Sequence, residues 1–161
     1  MKKLILFICF FFFILVLGSK FFIFNITESL PKGIYLIVPG NDIQKGDIVA
    51  FDIPEKLKDC KYIPKLSNML LKEVGALEND KVSIINESLY INGKKYGKIF
   101  KNDSLGNVFP ELSESDLQPL KGHFLPLATV SNSYDGRYYG TVEINKIKHK
   151  AKLFIEFKGA N

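Results

Sequence analysis

Leu4 to Leu17 is an apolar run of 14 residues, and beyond Asn25 short apolar stretches alternate with turn formers. Gly18-Ser19-Lys20 interrupts the run and Phe21-Phe22-Ile23-Phe24 resumes it. Alone, the 14 residues suit a secretory h-region better than a membrane span. Carried through Phe24 the stretch reaches 21 residues. As a helix at roughly 1.5 Å per residue it would measure about 31 Å, against a hydrocarbon core of about 30 Å. Lys20 lies near its far end, where its ammonium can snorkel to the headgroups. Val16-Leu17-Gly18 offers a weak cleavage site, but segment length favours an anchor retained over residues 1–24. Lys2 and Lys3 favour a cytoplasmic N-terminus. A domain over residues 25–161 would then face outward from the inner or plasma membrane, held by a single pass.

Within that part, Gly33 to Val38 is a β-branched and aromatic run closed by the turn Pro39-Gly40-Asn41-Asp42. Ile48 to Ile53 predicts a second strand, stopped by Pro54. Residues 55–65 predict a lysine-rich loop with a helical turn. Leu66 to Leu77 has a period ambiguous between helix and strand. Asp80 to Ile85 and Ser88 to Ile91 predict consecutive strands. Asn92-Gly93 is a two-residue hairpin signal leading into Lys94-Lys95-Tyr96. A helical turn is expected near Ser113 to Leu117. Phe124 to Val130 predicts a strand in which Pro126 marks an edge or a bulge. Leu153 to Phe157 is a strand or a helical end. Short strands, frequent turns and no long amphipathic helix predict a mainly β, antiparallel domain.

Charge adds little. The 161 residues carry a net charge of +5, but without Lys2, Lys3 and Lys20 the excess falls to +2. Arg137 is the single arginine and no basic run is interleaved with aromatics, so nucleic acid is not an expected partner. Cys9 lies in the apolar run and Cys60 in the polar part, which predicts no intrachain disulfide. His123 and His149 are isolated, and no Cys/His cluster has ligand spacing. No metal and no cofactor are expected.

Two residues carry candidate chemistry. Ser29 stands in Asn25-Ile26-Thr27-Glu28-Ser29-Leu30-Pro31-Lys32-Gly33-Ile34-Tyr35, just after the apolar segment. Lys72 stands in Leu70-Leu71-Lys72-Glu73-Val74-Gly75-Ala76-Leu77-Glu78-Asn79-Asp80. A serine hydroxyl needs a base, and a lysine serves if burial keeps it neutral, several units below its usual pKa of about 10.4. Met69, Leu70, Leu71, Val74 and Ala76 supply apolar surroundings. Taken alone, Lys72 could equally be solvated, and Ser29 could simply cap the turn before Pro31. Ser29-Leu30-Pro31-Lys32 also has the Ser-x-x-Lys spacing of penicillin-binding enzymes. That arrangement needs a helical turn, which Pro31 disfavours at Leu30.

With a third segment, Ser131-Asn132-Ser133-Tyr134-Asp135-Gly136-Arg137-Tyr138-Tyr139-Gly140, the chain resembles the signal peptidase I family, most closely its conjugative-transfer (TraF-type) branch. The segments stand in family order between Asn25 and Gly140. The resemblance implies a transmembrane helix followed by an antiparallel β-rich signal-peptidase-like catalytic domain. It implies a serine endopeptidase with Ser29 as nucleophile and Lys72 as general base. Thr27 would lend its hydroxyl to the oxyanion hole beside the Ser29 N–H, Ser133 would orient Lys72, and Asp135 and Arg137 would form a supporting ion pair. The expected substrate is a secreted or pilin-type precursor whose export segment is cut at the surface of the membrane lipid. A general preprotein signal peptidase and a non-catalytic anchored β-domain of an export or pilus assembly are the alternatives. Three sites depart from the family pattern: Glu73 replaces a basic residue, Glu78-Asn79 a Pro-Gly-like pair, and Gly136 a serine.

Overall fold

In a computed structural model of the chain, Gly18, residues 20–63, Lys65 and residues 68–157 are described. The apolar run Leu4 to Leu17 lies outside them, as do Lys2, Lys3 and Cys9. Among the described residues no helix is long and apolar enough to cross a membrane. The helix expected to continue through Phe24 does not. Phe22–Asn25 is a strand, β1, antiparallel to β2 (Gly33–Val38), with Phe22 opposite Leu36 and Asn25 opposite Gly33. A short aromatic and β-branched stretch suits a pleated edge, and alternation turns Ile23 toward the core and Phe24 outward.

The remaining strands are β3 (Ile48–Asp52), β4 (Met69–Ala76), β5 (Val82–Ile85), β6 (Ser88–Ile91), β7 (Lys94–Lys98), β8 (His123–Leu127), β9 (Val142–Glu143) and β10 (Ile147–Glu156). Among the described residues, two four-residue helices, α1 (Glu114–Leu117) and α2 (Gly136–Tyr139), and two 3₁₀ turns interrupt them. Seven strands form one antiparallel sheet in the order β1-β2-β10-β3-β4-β8-β9, and β5-β6-β7 form a second. The mainly β, antiparallel expectation is met.

The segment of ambiguous period, Leu66 to Leu77, is strand β4 from Met69 onward. Leu70, Lys72 and Val74 all turn inward on it, the two-residue period of a strand with one face on a core. Leu70 and Val74 pack with Val49, Phe51 and Phe124 in the largest core, where the Phe51 and Phe124 rings meet edge to face at 5.3 Å. A second core joins the sheets, with Leu89 and Ile91 of β6 against Leu125 and Leu127 of β8. A third, Leu30, Tyr35 and Ala151, lies beneath the turn between β1 and β2.

Pro126 sits in β8 beyond the reach of two-residue β9, which pairs only His123 and Phe124, so its missing N–H costs no ladder bond on that side. On the other side the register shifts between Val74 and Ala76. Gly75 lies at that shift, where a Cβ would collide with the Leu127 side chain.

Candidate active site

The turn joining β1 to β2 carries Ser29, and the carbonyls of Thr27, Ser29, Leu30 and Pro31 each have a partner. Asn25 Nδ2 donates to the carbonyls of Thr27, Leu30 and Pro31, each at 3.1 Å. Tyr35 Oη donates to Pro31 O at 2.7 Å, and Thr129 N donates to Ser29 O at 3.0 Å. Leu30 is 1% exposed and plugs the third core beneath. A backbone tied at four carbonyls cannot easily move its side chains. The Ser29 hydroxyl is thus held at the rim of a cavity of about 500 Å³, lined on this side by Ile26, Thr27 and Ser29.

The opposite wall of that cavity includes Leu70, Lys72 and Ser133. Lys72 is 5% exposed, and its ammonium donates to Ser133 Oγ at 3.2 Å. Removal from water disfavours the charged amine and lowers its pKa to about 8. Asp135 opposes that shift and Arg137 assists it. Around and above pH 8 a substantial fraction of this amine is neutral and able to accept a proton. No hydrogen bond joins Ser29 to Lys72: each takes another hydroxyl partner, Thr27 at 3.2 Å and Ser133 respectively.

Behind this wall lies a buried ion pair. Asp135 and Arg137 are 0% and 1% exposed. Asp135 caps α2 by accepting the Arg137 N–H, and its Oδ2 accepts the Ala128 N–H at 2.8 Å. Arg137 donates outward to the carbonyls of Lys98, Val130 and Ser131, and to that of Ser133 at 3.4 Å. The guanidinium therefore gathers the loop 130–133 whose tip presents Ser133 to Lys72. Thr27, Ser29, Lys72 and Ser133 meet at one cavity, and Asp135 and Arg137 stand one layer behind.

The family model "Signal peptidase, peptidase S26" matches residues 1–156. The chain belongs to that family. Membership makes it a hydrolase, a serine peptidase of the signal-peptidase kind. A crystal structure of a signal peptidase I from Enterococcus faecalis V583 is similar at 23% identity, covering 68% of this chain and 96% of that one, with a TM-score of 0.42. No curated protein matches the chain.

The three departures from the signal peptidase pattern have local explanations. Glu73 follows Lys72 on β4, so the two side chains leave opposite faces of the sheet. The charges acting on Lys72 are Asp135 and Arg137, and Glu73 is not among them; its own half-buried carboxyl is raised by desolvation. At Gly136 a Cβ would lie 2.6 Å from the Pro126 carbonyl oxygen and 2.8 Å from Leu125 Cδ1. Glycine lets α2 approach β8 closely there. In the turn after β4, Asp80 takes the place of sequence-encoded turn geometry. Its carboxylate accepts the Leu77 N–H at 2.9 Å, Asn92 Nδ2 and the Lys45 ammonium.

One residue at the site is not evident from sequence. Asn25 is 5% exposed and makes five hydrogen bonds to its own turn. A polar side chain ending an apolar stretch, two positions before Thr27, was the available signal.

Proposed function

We propose that this signal peptidase family member is a membrane-anchored endopeptidase with a Ser29/Lys72 dyad. It removes the export segment of a secreted or pilin-type precursor, in a conjugative-transfer system. The observation that carries the mechanism is a lysine amine of lowered pKa, desolvated in the cavity that also holds a clamped serine hydroxyl. Ser29 Oγ attacks the scissile carbonyl while Lys72 Nζ takes its proton, then returns it to the leaving amine. The Thr27 hydroxyl and the Ser29 N–H stabilise the oxyanion. For the attack, the serine hydroxyl turns from Thr27 toward Lys72.

Anchoring is supported by the sequence of residues 1–24 and by the outer face of the sheet nearest the site. Phe24, Ile34 and Ile155 are register partners across β1, β2 and β10, and Phe24 and Ile155 are 64% and 46% exposed. Ile26, 77% exposed, extends this apolar surface toward Ser29. Seating it against lipid would hold the cavity where an emerging precursor leaves the bilayer, raising effective concentration without added affinity. The substrate class in conjugative transfer rests on the Thr27-Glu28-Ser29-Leu30-Pro31-Lys32-Gly33-Ile34-Tyr35 segment.

The test is cleavage of a membrane-inserted precursor by the purified full chain. Ser29→Ala and Lys72→Ala should each abolish processing, and the double variant should be no worse than either, as expected of groups acting as one unit. Substantial processing by Ser29→Ala protein would sink the mechanism. A broad range of accepted precursors would instead favour a general preprotein peptidase.

A further inference from the structure

The Asn25 carboxamide can be oriented without ambiguity. One end faces three carbonyl oxygens, which only accept, and the other faces the Thr27 N–H, which only donates. Nδ2 must therefore face the carbonyls and Oδ1 the amide. The Thr27 hydroxyl lies 2.7 Å from that same Oδ1. An amide oxygen cannot donate, so the single Thr27 proton is committed to Asn25. Only lone pairs of Thr27 Oγ1 then remain for Ser29 Oγ, 3.2 Å away, and Ser29 becomes the donor. A directed chain runs Ser29 O–H to Thr27 Oγ1, and Thr27 O–H to Asn25 Oδ1.

We propose that Asn25 is a positioning residue for catalysis: it locks the nucleophile's turn through Nδ2 and, through Oδ1, sets the direction of the Thr27 and Ser29 hydroxyls in the free enzyme. This rests on Ser29 being the nucleophile. Substrate binding must break both links of the chain. A carbonyl oxygen entering beside Ser29 draws the Thr27 proton off Asn25, and the Ser29 proton is then free to turn to Lys72. Asn25 touches no reacting atom. Its effect reaches the reaction through Thr27 and through the placement of Ser29.

The decisive variant is Asn25→Asp, which keeps shape and the Oδ1 acceptor but turns a second acceptor toward three carbonyls. Measured on the full chain in detergent micelles, the probe is a fluorogenic peptide with alanine at the scissile position and two residues before it. Misplacing a reacting group by about 1 Å costs on the order of 10²-fold. The expected loss for Asn25→Asp at pH 8 is therefore about 10²-fold in kcat with KM little changed. The ratio of variant to wild-type kcat should rise as pH falls, because a protonated carboxyl regains one donor. Combined with Thr27→Val, the loss should fall short of the product of the two singles, since the turn that Nδ2 locks also places the Thr27 hydroxyl. A wild-type kcat, a pH-independent ratio or multiplicative losses would overturn the proposal. Ser29→Ala in the same assay separates the two layers: an active Ser29→Ala protein overturns the mechanism itself. An inactive one beside an unimpaired Asn25→Asp overturns only the role of Asn25. A measurement that needs neither substrate nor variant is solvent exchange of the Asn25 side-chain amide protons by NMR. Slow exchange is expected of an amide donating to three carbonyls, and free exchange would overturn the clamp.

Discussion

Arg137 grips Asp135 through two parallel hydrogen bonds, Nε to Oδ1 and Nη2 to Oδ2, both 2.9 Å, with both side chains out of solvent. A guanidinium fork matches a carboxylate in a way an ammonium cannot. The remaining guanidinium donors hold the carbonyls of loop 130–133, so the pair joins α2, β7 and the loop bearing Ser133. Truncating one partner strands a buried charge, which typically costs about 3–5 kcal/mol. Arg137→Met should lower unfolding stability by an amount of this order. It should also reduce activity in the fraction that still folds, because Ser133 loses its support. Denaturant titration of the purified protein checks the first part, and a change under about 1 kcal/mol would show that the pair is not integral to the fold.

Lys72 should impose an ascending limb on the pH profile. Only the neutral amine accepts a proton, so activity should rise with pH through the depressed pKa of about 8 and level off above it. The rise belongs to kcat/KM, which reports the free protein. A profile centred near the ordinary lysine value of about 10.4 would mean that Lys72 is solvated when the protein works.

The same burial makes Lys72 a cost to the fold. Its folded pKa of about 8 lies below the ordinary value, so the unfolded chain binds more protons between the two and stability rises with pH across that window. Below about pH 8 the penalty is present in full, up to about 3 kcal/mol. Lys72→Met, apolar and of similar length, should therefore be inactive yet more stable than wild type at pH 7. The advantage should shrink above pH 8 and vanish near pH 10.5. Thermal melts across that range test it. A Lys72→Met protein less stable at every pH would show that the hydrogen bond to Ser133 outweighs desolvation.

The residues that meet at the cavity were legible because three separated segments each carried chemistry and turn formers together. Their mutual geometry was not, since it depends on pairings across the sheet. Ala50 opposite Leu71 and Val49 opposite Lys72 set the β4 register, and nothing local in Leu66 to Leu77 separates a strand from a helix. The hairpin at Asn92-Gly93 was readable because both residues take positive φ, 52° and 77°, where Asn and Gly are at ease. The preceding turn, Asn86-Glu87, has φ of 48° and 56° yet carries no glycine to announce it. β1 is hidden in the apolar segment before it, because Phe21 to Phe24 continues that segment in hydropathy while pairing with β2 in space. Asn25 is inconspicuous in the sequence for a related reason. Its importance lies in five bonds to neighbours within six residues, which a list of residue types does not display.

Gly136 gives the last test, because it opposes family pattern to local packing. Serine at this position would place its Cβ 2.6 Å from Pro126 O and 2.8 Å from Leu125 Cδ1, both closer than real Cβ contacts allow. The Pro126 oxygen belongs to β8 and cannot swing aside as a side-chain end can. Either α2 lifts from β8 or the strand shifts. Lifting α2 moves its N-cap, Asp135, whose Oδ2 holds the Ala128 N–H at 2.8 Å. Overpacking of this kind typically costs about 1–3 kcal/mol. Gly136→Ser should thus destabilise the domain by that order and lower activity through Asp135, Arg137 and the Ser133 loop. Gly136→Ala should behave alike, since the clash lies at Cβ. Melting temperatures of the two variants decide it: a stabilised Gly136→Ser protein would mean that the hydroxyl finds a partner after α2 relaxes, and that glycine here is not required by packing.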